Sequence, residues 1–173
     1  MEPSIYSIRK SFLLPLGLVV LLSFILLISA LSLGLPVAKI IILGVFLIPV
    51  CILFIESSLR KVQVGESSVQ VKKLFRKKAI DYAELTAIDT IQVRKRAFIS
   101  LSSENDFLIL SNSYEHFGQL LQQLVQKVPT TVVSEETREL AENPPSKCSD
   151  VFSAWLAVAV LALIIFVQLR GAF

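Results

Sequence analysis

Ser68-Val69-Gln70-Val71-Lys72-Lys73-Leu74-Phe75-Arg76-Lys77-Lys78-Ala79-Ile80-Asp81-Tyr82 is the stretch on which the reading of this chain turns. Val69 and Val71 alternate with Ser68, Gln70 and Lys72, the period of a strand with one face buried. Arg76-Lys77-Lys78 makes a basic turn, and Ala79-Ile80-Asp81-Tyr82 resumes as a second strand. Upstream, residues 59–64 read as a strand that ends in a turn at Gly65-Glu66. Downstream come residues 86–93, 97–101 and, after a polar turn at 102–106, 107–110. Six short strands joined by tight turns predict an antiparallel, meandering sheet.

One helix follows. Asn112 reads as its N-cap, with Glu115 three residues on as in a capping box. Tyr114, Phe117, Leu120, Leu121, Leu124, Val125 and Val128 recur at helical spacing, and Gln119, Gln122, Gln123, Gln126 and Lys127 fill the other side. Such an amphipathic helix covers one face or one open end of a sheet. Pro129 ends it. Beyond it, residues 129–149 are acidic and polar, with Glu135, Glu136, Glu139 and Glu142 before Asn143-Pro144-Pro145-Ser146. This segment reads as a linker with room for a short helix over 134–141.

The flanks of this soluble segment are of a different composition. The whole chain, 173 residues, is 54% hydrophobic, and its mean hydropathy is +0.69. Soluble domains of this size carry more charge and fewer long apolar runs. Apolar runs at about 11–33, 36–56 and 150–169, the first without a charge, reach or approach the roughly 20 residues that cross about 30 Å of hydrocarbon. In lipid the backbone must satisfy its own hydrogen bonds, so each run is expected as a helix. The first is longer than the roughly 7–15 residues of a signal-peptide core and has no clear cleavage site, so it reads as an uncleaved span. Gly34-Leu35-Pro36 turns the first span into the second, Pro15 falls where it is tolerated, and Pro49 is expected to kink its helix. Arg9, Lys10, Arg60 and Lys61 lie outside the hairpin ends, against Lys39 alone at its turn. The positive-inside rule then predicts a cytoplasmic N-terminus and soluble segment, with the C-terminus outside.

The expected organisation is therefore residues 1–56 as N-terminal segment and membrane hairpin, 57–128 as the soluble domain, 129–149 as linker, 150–169 as third span and 170–173 as tail. Residues 69–88, with a strand, a basic turn and the Ile80-x-Tyr82-x-x-Leu85-x-x-Ile88 element, resemble the bacterial pleckstrin-homology-like membrane proteins. The resemblance extends over roughly residues 10–128. It implies a strongly bent antiparallel sheet of seven strands capped by the C-terminal helix. It also implies a bacterial cytoplasmic-membrane location and a scaffolding or interaction role without enzyme chemistry. Two features depart from that pattern: six strands are legible rather than seven, and a third span follows an acidic linker.

The basic turns are the candidate sites. Lys72, Lys73, Arg76, Lys77 and Lys78 surround one turn, and Arg94, Lys95 and Arg96 another. Near a membrane each basic residue adds about 1 kcal/mol of attraction to anionic head groups, although such residues also enforce topology and solubility. Nucleic acid is disfavoured, because Phe75 and Phe98, the aromatics beside the clusters, read as core residues. His116, the one histidine, has no nucleophile or orienting partner in reach of the sequence. Cys51 and Cys148 have no ligand spacing, so no metal, cofactor or catalytic group is expected. The expected partners are membrane lipids, further copies of the chain, or subunits of a larger transporter or respiratory complex. No small-molecule substrate is evident.

Overall fold

The alternating valines of the segment around residues 62–71 turn inward. In the computed structural model, which describes residues 3–93, 96–144 and 149–171, Val62, Val64, Val69, Val71 and Ile80 are buried, while the residues between them are partly or fully exposed. The described residues form seven strands in two antiparallel sheets. The first sheet holds β1 (Ser4–Ser7), β2 (Lys61–Val64), β3 (Ser68–Lys72) and β4 (Lys77–Asp81) in that order. The second holds β5 (Leu85–Val93), β6 (Arg96–Ser103) and β7 (Phe107–Ser111). Ile88, Ala97, Ile99, Leu101, Leu108 and Leu110 form the inner side of the second sheet.

The strand absent from the sequence reading is β1. It pairs with β2 from Ser4↔Val64 to Ser7↔Lys61. Tyr6 and Ile8 are both buried, so the period of two is present, but in a segment too short to be told from a tail. Its partner lies more than fifty positions away, across the hairpin, and only the tertiary fold brings the two together.

The three long apolar helices are α1 (Lys10–Ser32), α2 (Val37–Leu59) and α5 (Ser149–Arg170). Each is long and apolar enough to cross a membrane. Gly34, with φ of +61°, makes the turn between α1 and α2, a conformation that costs a residue with a Cβ. Ser23, Ser29 and Ser32 return their hydroxyls to carbonyls three or four residues back, which satisfies them inside an apolar helix. Gln168 Nε2 donates to Ser29 Oγ at 2.9 Å, tying α5 to α1. Cys51 is a half-buried thiol on α2, and Cys148 lies outside the described residues.

The amphipathic helix α3 runs over Phe117–Lys127 and buries Phe117, Leu120, Leu121 and Leu124. Its start differs from the expected cap. His116, in a left-handed conformation with φ of 52°, occupies the cap position and makes no side-chain cap bond. Asn112 is instead buried, and its N–H donates to the Ala97 carbonyl. The intervening residues are drawn off by tertiary pairing: Tyr114 bridges Ile8, and the Glu115 N–H donates to the Ser7 carbonyl. Backbone bonds to the N-terminal strand thus displace the local capping box.

The acidic stretch expected as a linker also folds against the sheet unit. A 3-10 turn, Thr130–Val132, leads into α4 (Glu135–Glu142), capped by Ser134 Oγ. Val133, Thr137, Leu140 and Ala141, spaced as one helical face, are buried. Thr137 Oγ1 donates to the Ile88 carbonyl at 3.2 Å, leaving its lone pairs to the hydroxyls of Thr90 at 2.8 Å and Ser134 at 2.9 Å. Gln122 Nε2 reaches the Ala141 carbonyl at 3.1 Å, linking α4 to α3. Pro144 lies so near α3 that a Cβ on Gly118 would come within 2.7 Å of its ring. The chain divides accordingly into two compact units, Met1–Arg9 with Leu59–Ser149, and Lys10–Ser58 with Asp150–Phe173.

Candidate functional site

Between β3 and β4 the chain reverses over Lys73–Arg76, closed by a 2.8 Å bond from the Lys73 N–H to the Arg76 carbonyl. The turn holds Phe75 out into solvent at 89% exposure. Phe98 is half-buried on the outer side of β6, between the inward Ala97 and Ile99. Neither phenylalanine is the core residue the sequence suggested. Phe75 sits at the tip of a tight turn, where no second layer covers it, and Phe98 has the parity of the outer face.

Register sets the charges in order. Ser7, Lys61, Lys72 and Lys77 are directly opposite one another across β1, β2, β3 and β4. Adjacent strands lie about 4.8 Å apart, so the three lysines form one row on the outer face. Like charges directly opposite are destabilising. Among the described residues, Lys61, Lys72, Lys73, Arg76 and Lys77 have no carboxylate partner. Lys78 differs because it points the other way, being paired with the buried Val71. Its Nζ lies 2.7 Å from Asp106 Oδ1 and 4.9 Å from the centroid of the Phe107 ring.

Lys78 stands at an open groove of about 600 Å³ between β4 and β7. Arg60, Lys73, Arg76 and Lys77 supply its cations, Phe75 and Phe107 its aromatic rims, and the buried Val71 and Leu108 its apolar base. Arg60 is fixed from behind. Its Nε donates to the Tyr114 hydroxyl at 2.9 Å, and its guanidinium lies 5.7 Å from the centroid of the same ring. Arg9 Nε donates to the Tyr114 carbonyl at 3.2 Å. Burial pushes the Tyr114 phenol above its ordinary value, while the charge and hydrogen bond of Arg60 pull in the opposite direction.

Of the residues singled out from the sequence, Lys72, Lys73, Arg76, Lys77 and Lys78 do gather about one turn, divided between the outer row and the groove. Arg96 opens β6, exposed and opposite Val93, and is not part of the groove. Arg94 and Lys95 lie outside the described residues. His116 is exposed at the start of α3. Arg60, Asp106, Phe107 and Tyr114 were not legible as site residues. Their contacts join positions far apart in sequence, and nothing local marks them. A second groove of about 600 Å³ has the opposite sign, with Glu136, Glu139 and Glu142 of α4 beside Thr90 and Gln92.

Compared with protein-family models, with curated proteins and with solved structures, the chain matches none.

Proposed function

We propose that the chain is a membrane-anchored, non-enzymatic interaction module of the bacterial cytoplasmic membrane. Its sheet unit is a pleckstrin-homology-like domain that meets the inner leaflet and partner proteins from the cytoplasmic side. The three apolar helices are the anchor, with the N-terminus inside and the C-terminus outside. Helices of 23, 23 and 22 residues rise about 33–35 Å at 1.5 Å per residue, enough for the hydrocarbon core. The basic pairs at the outer ends of the hairpin support the orientation. Seven strands followed by one amphipathic helix agree in number with what the pleckstrin-like resemblance implies.

The observation that carries leaflet contact is the lysine row with Phe75 beside it. Ser7, at one end of the row, lies three positions before Lys10, where α1 begins, and Lys61 lies two after Leu59, where α2 ends. The Ser7–Lys61 end of the row is therefore close in sequence to the anchor helices. Uncompensated cations and an exposed aromatic there suit an anionic interface.

Full-length protein in lipid nanodiscs tests this. Amide exchange over residues 72–77 should slow in anionic relative to neutral nanodiscs, and the difference should shrink as salt rises. Equal exchange in the two lipids would sink leaflet contact. A second reading, as an accessory subunit of a larger membrane complex, draws on the helices themselves. Only 11%, 6% and 6% of their apolar stretches are buried within the chain, leaving a wide lateral surface for other subunits. Native mass spectrometry in mild detergent separates the readings: foreign subunits at fixed stoichiometry favour the second, and self-association alone the first.

A further inference from the structure

We propose that the acidic face of α4 in one copy of the chain docks on the basic groove of a second copy, so that copies join head to tail in the membrane. The proposal deepens the reading of the chain as an interaction module and rests on it.

The two surfaces are opposite in charge and similar in size, each an open groove of about 600 Å³. Glu136, Glu139 and Glu142 line one of them, exposed and spaced three apart on α4. Residues three apart are neighbours on a helix surface, so these like charges repel one another. Arg138, the cation within α4, pairs with Glu135 instead. Among the described residues, none of the three glutamates has a cation partner. The other groove carries Lys73, Arg76 and Lys77, which have no carboxylate partner among the described residues. The exposed rings of Phe75 and Phe107 flank these cations and add apolar contact area.

Topology keeps the two sets of charges apart within one copy. In the sheet β5-β6-β7 the acidic groove adjoins β5, through Thr90 and Gln92, and the basic groove adjoins β7, through Phe107 and Leu108. Strand spacing alone separates these edges by about 10 Å. A contact between two different surfaces of one chain is heterologous, and repeats head to tail as a closed ring or an open row. Copies anchored in one membrane share one orientation across it and are related by rotation about the membrane normal, which such a contact allows. Arg60 of the basic groove directly follows α2, and Glu142 lies seven positions before Ser149, where α5 begins. Both grooves thus include residues close in sequence to the anchor, which suits contact between neighbours in one membrane.

The helix meets the groove from outside. Lys78 closes on Asp106 and Phe107, so the contact is with cations and aromatics at the rim and needs no gap between β4 and β7. A lipid head group would neutralise the cations and leave the glutamates of α4 uncompensated. A second copy neutralises both, and for that reason the observations favour it.

Sedimentation velocity of the full-length protein in uncharged detergent micelles tests this. The parent chain should self-associate at low salt and dissociate as salt rises. Lys73→Glu with Arg76→Glu, or Glu139→Lys with Glu142→Lys, should each weaken association about tenfold or more, since reversal turns attraction into repulsion. All four positions are exposed, and unchanged amide exchange in β2 checks that each variant is folded. Glutamine replaces the reversed residues in any variant whose exchange rises. An equimolar mixture of the two charge-reversed variants should associate again, because the intact helix face of the first meets the intact groove of the second. A chain that stays monomeric at low salt overturns the proposal, as does association that neither variant weakens. A mixture no more associated than its parts also overturns it, since the two sets of charges would then not face one another. Failure here concerns self-association in detergent, whereas leaflet contact is read from exchange in nanodiscs, so the two fail separately.

Discussion

Tyr114→Phe removes one oxygen from the centre of the sheet unit and isolates what the Arg60 bond is worth. Tyr114 is fully buried, and Arg60 Nε donates to its hydroxyl at 2.9 Å. A hydrogen bond with one charged partner contributes about 1.5–3 kcal/mol. Arg60 is only half-buried, so water takes over part of the lost bond, and the cost falls to the lower end, about 1.5 kcal/mol. The ring remains, and with it the 5.7 Å contact with the guanidinium. Arg9 still donates to the Tyr114 carbonyl, since the backbone is unchanged. The assay is native-state hydrogen exchange read by mass spectrometry in detergent, at the buried strand residues Val62 and Val64. Where these amides exchange through opening of the unit, about 1.5 kcal/mol speeds them roughly tenfold. Arg60→Ala supplies the second side of a double-mutant cycle. In that background Tyr114→Phe should cost no more than about 0.5 kcal/mol, because the interaction is already gone. An equal cost in both backgrounds would refute the reasoning, since the hydroxyl would then act through something other than Arg60.

Thr137→Val keeps the shape of a buried side chain but strips a hydroxyl with three partners, Thr90, Ser134 and the Ile88 carbonyl. It should cost about 1–3 kcal/mol and speed exchange over residues 133–142 well before β2. Unchanged exchange there would mean that apolar packing alone docks α4. Tyr6, Tyr82 and Tyr114 all have phenol pKa values raised above 10 by burial, Tyr82 to about 12. A folded value above the unfolded one means that the fold favours the neutral phenol. That stabilisation is complete below pH 10 and is lost as pH rises through the folded value, for Tyr82 between 10 and about 12. Tyrosinate absorbance of the folded protein should therefore show no step at pH 10, and denaturant should restore one. A full step at 10 in the folded protein would contradict the burial of these rings.

What the sequence determined by itself is local and periodic. The three apolar helices, six of the seven strands and the buried face of α3 follow from runs and repeats legible within about twenty residues, because burial of one face imposes a period on the chain. The gathering of Lys72, Lys73, Arg76, Lys77 and Lys78 at one turn follows from their adjacency. The short helix allowed over 134–141 was legible within the linker too, but not that Val133, Thr137, Leu140 and Ala141 would be buried. Tertiary structure alone decided the rest. Ser4–Ser7 becomes a strand only because β2 offers it an edge, and the same pairing draws Tyr114 and Glu115 out of the first turn of α3. The row of Lys61, Lys72 and Lys77 is a property of register, and no segment contains it. Arg60 meets Tyr114 across 54 positions, and the groove exists because β4 and β7 end two different sheets. Periodicity reports which face of a segment is buried. It carries no information on which other segment buries it, and the contacts that bring Arg60, Lys78 and Phe107 to the groove are of that second kind.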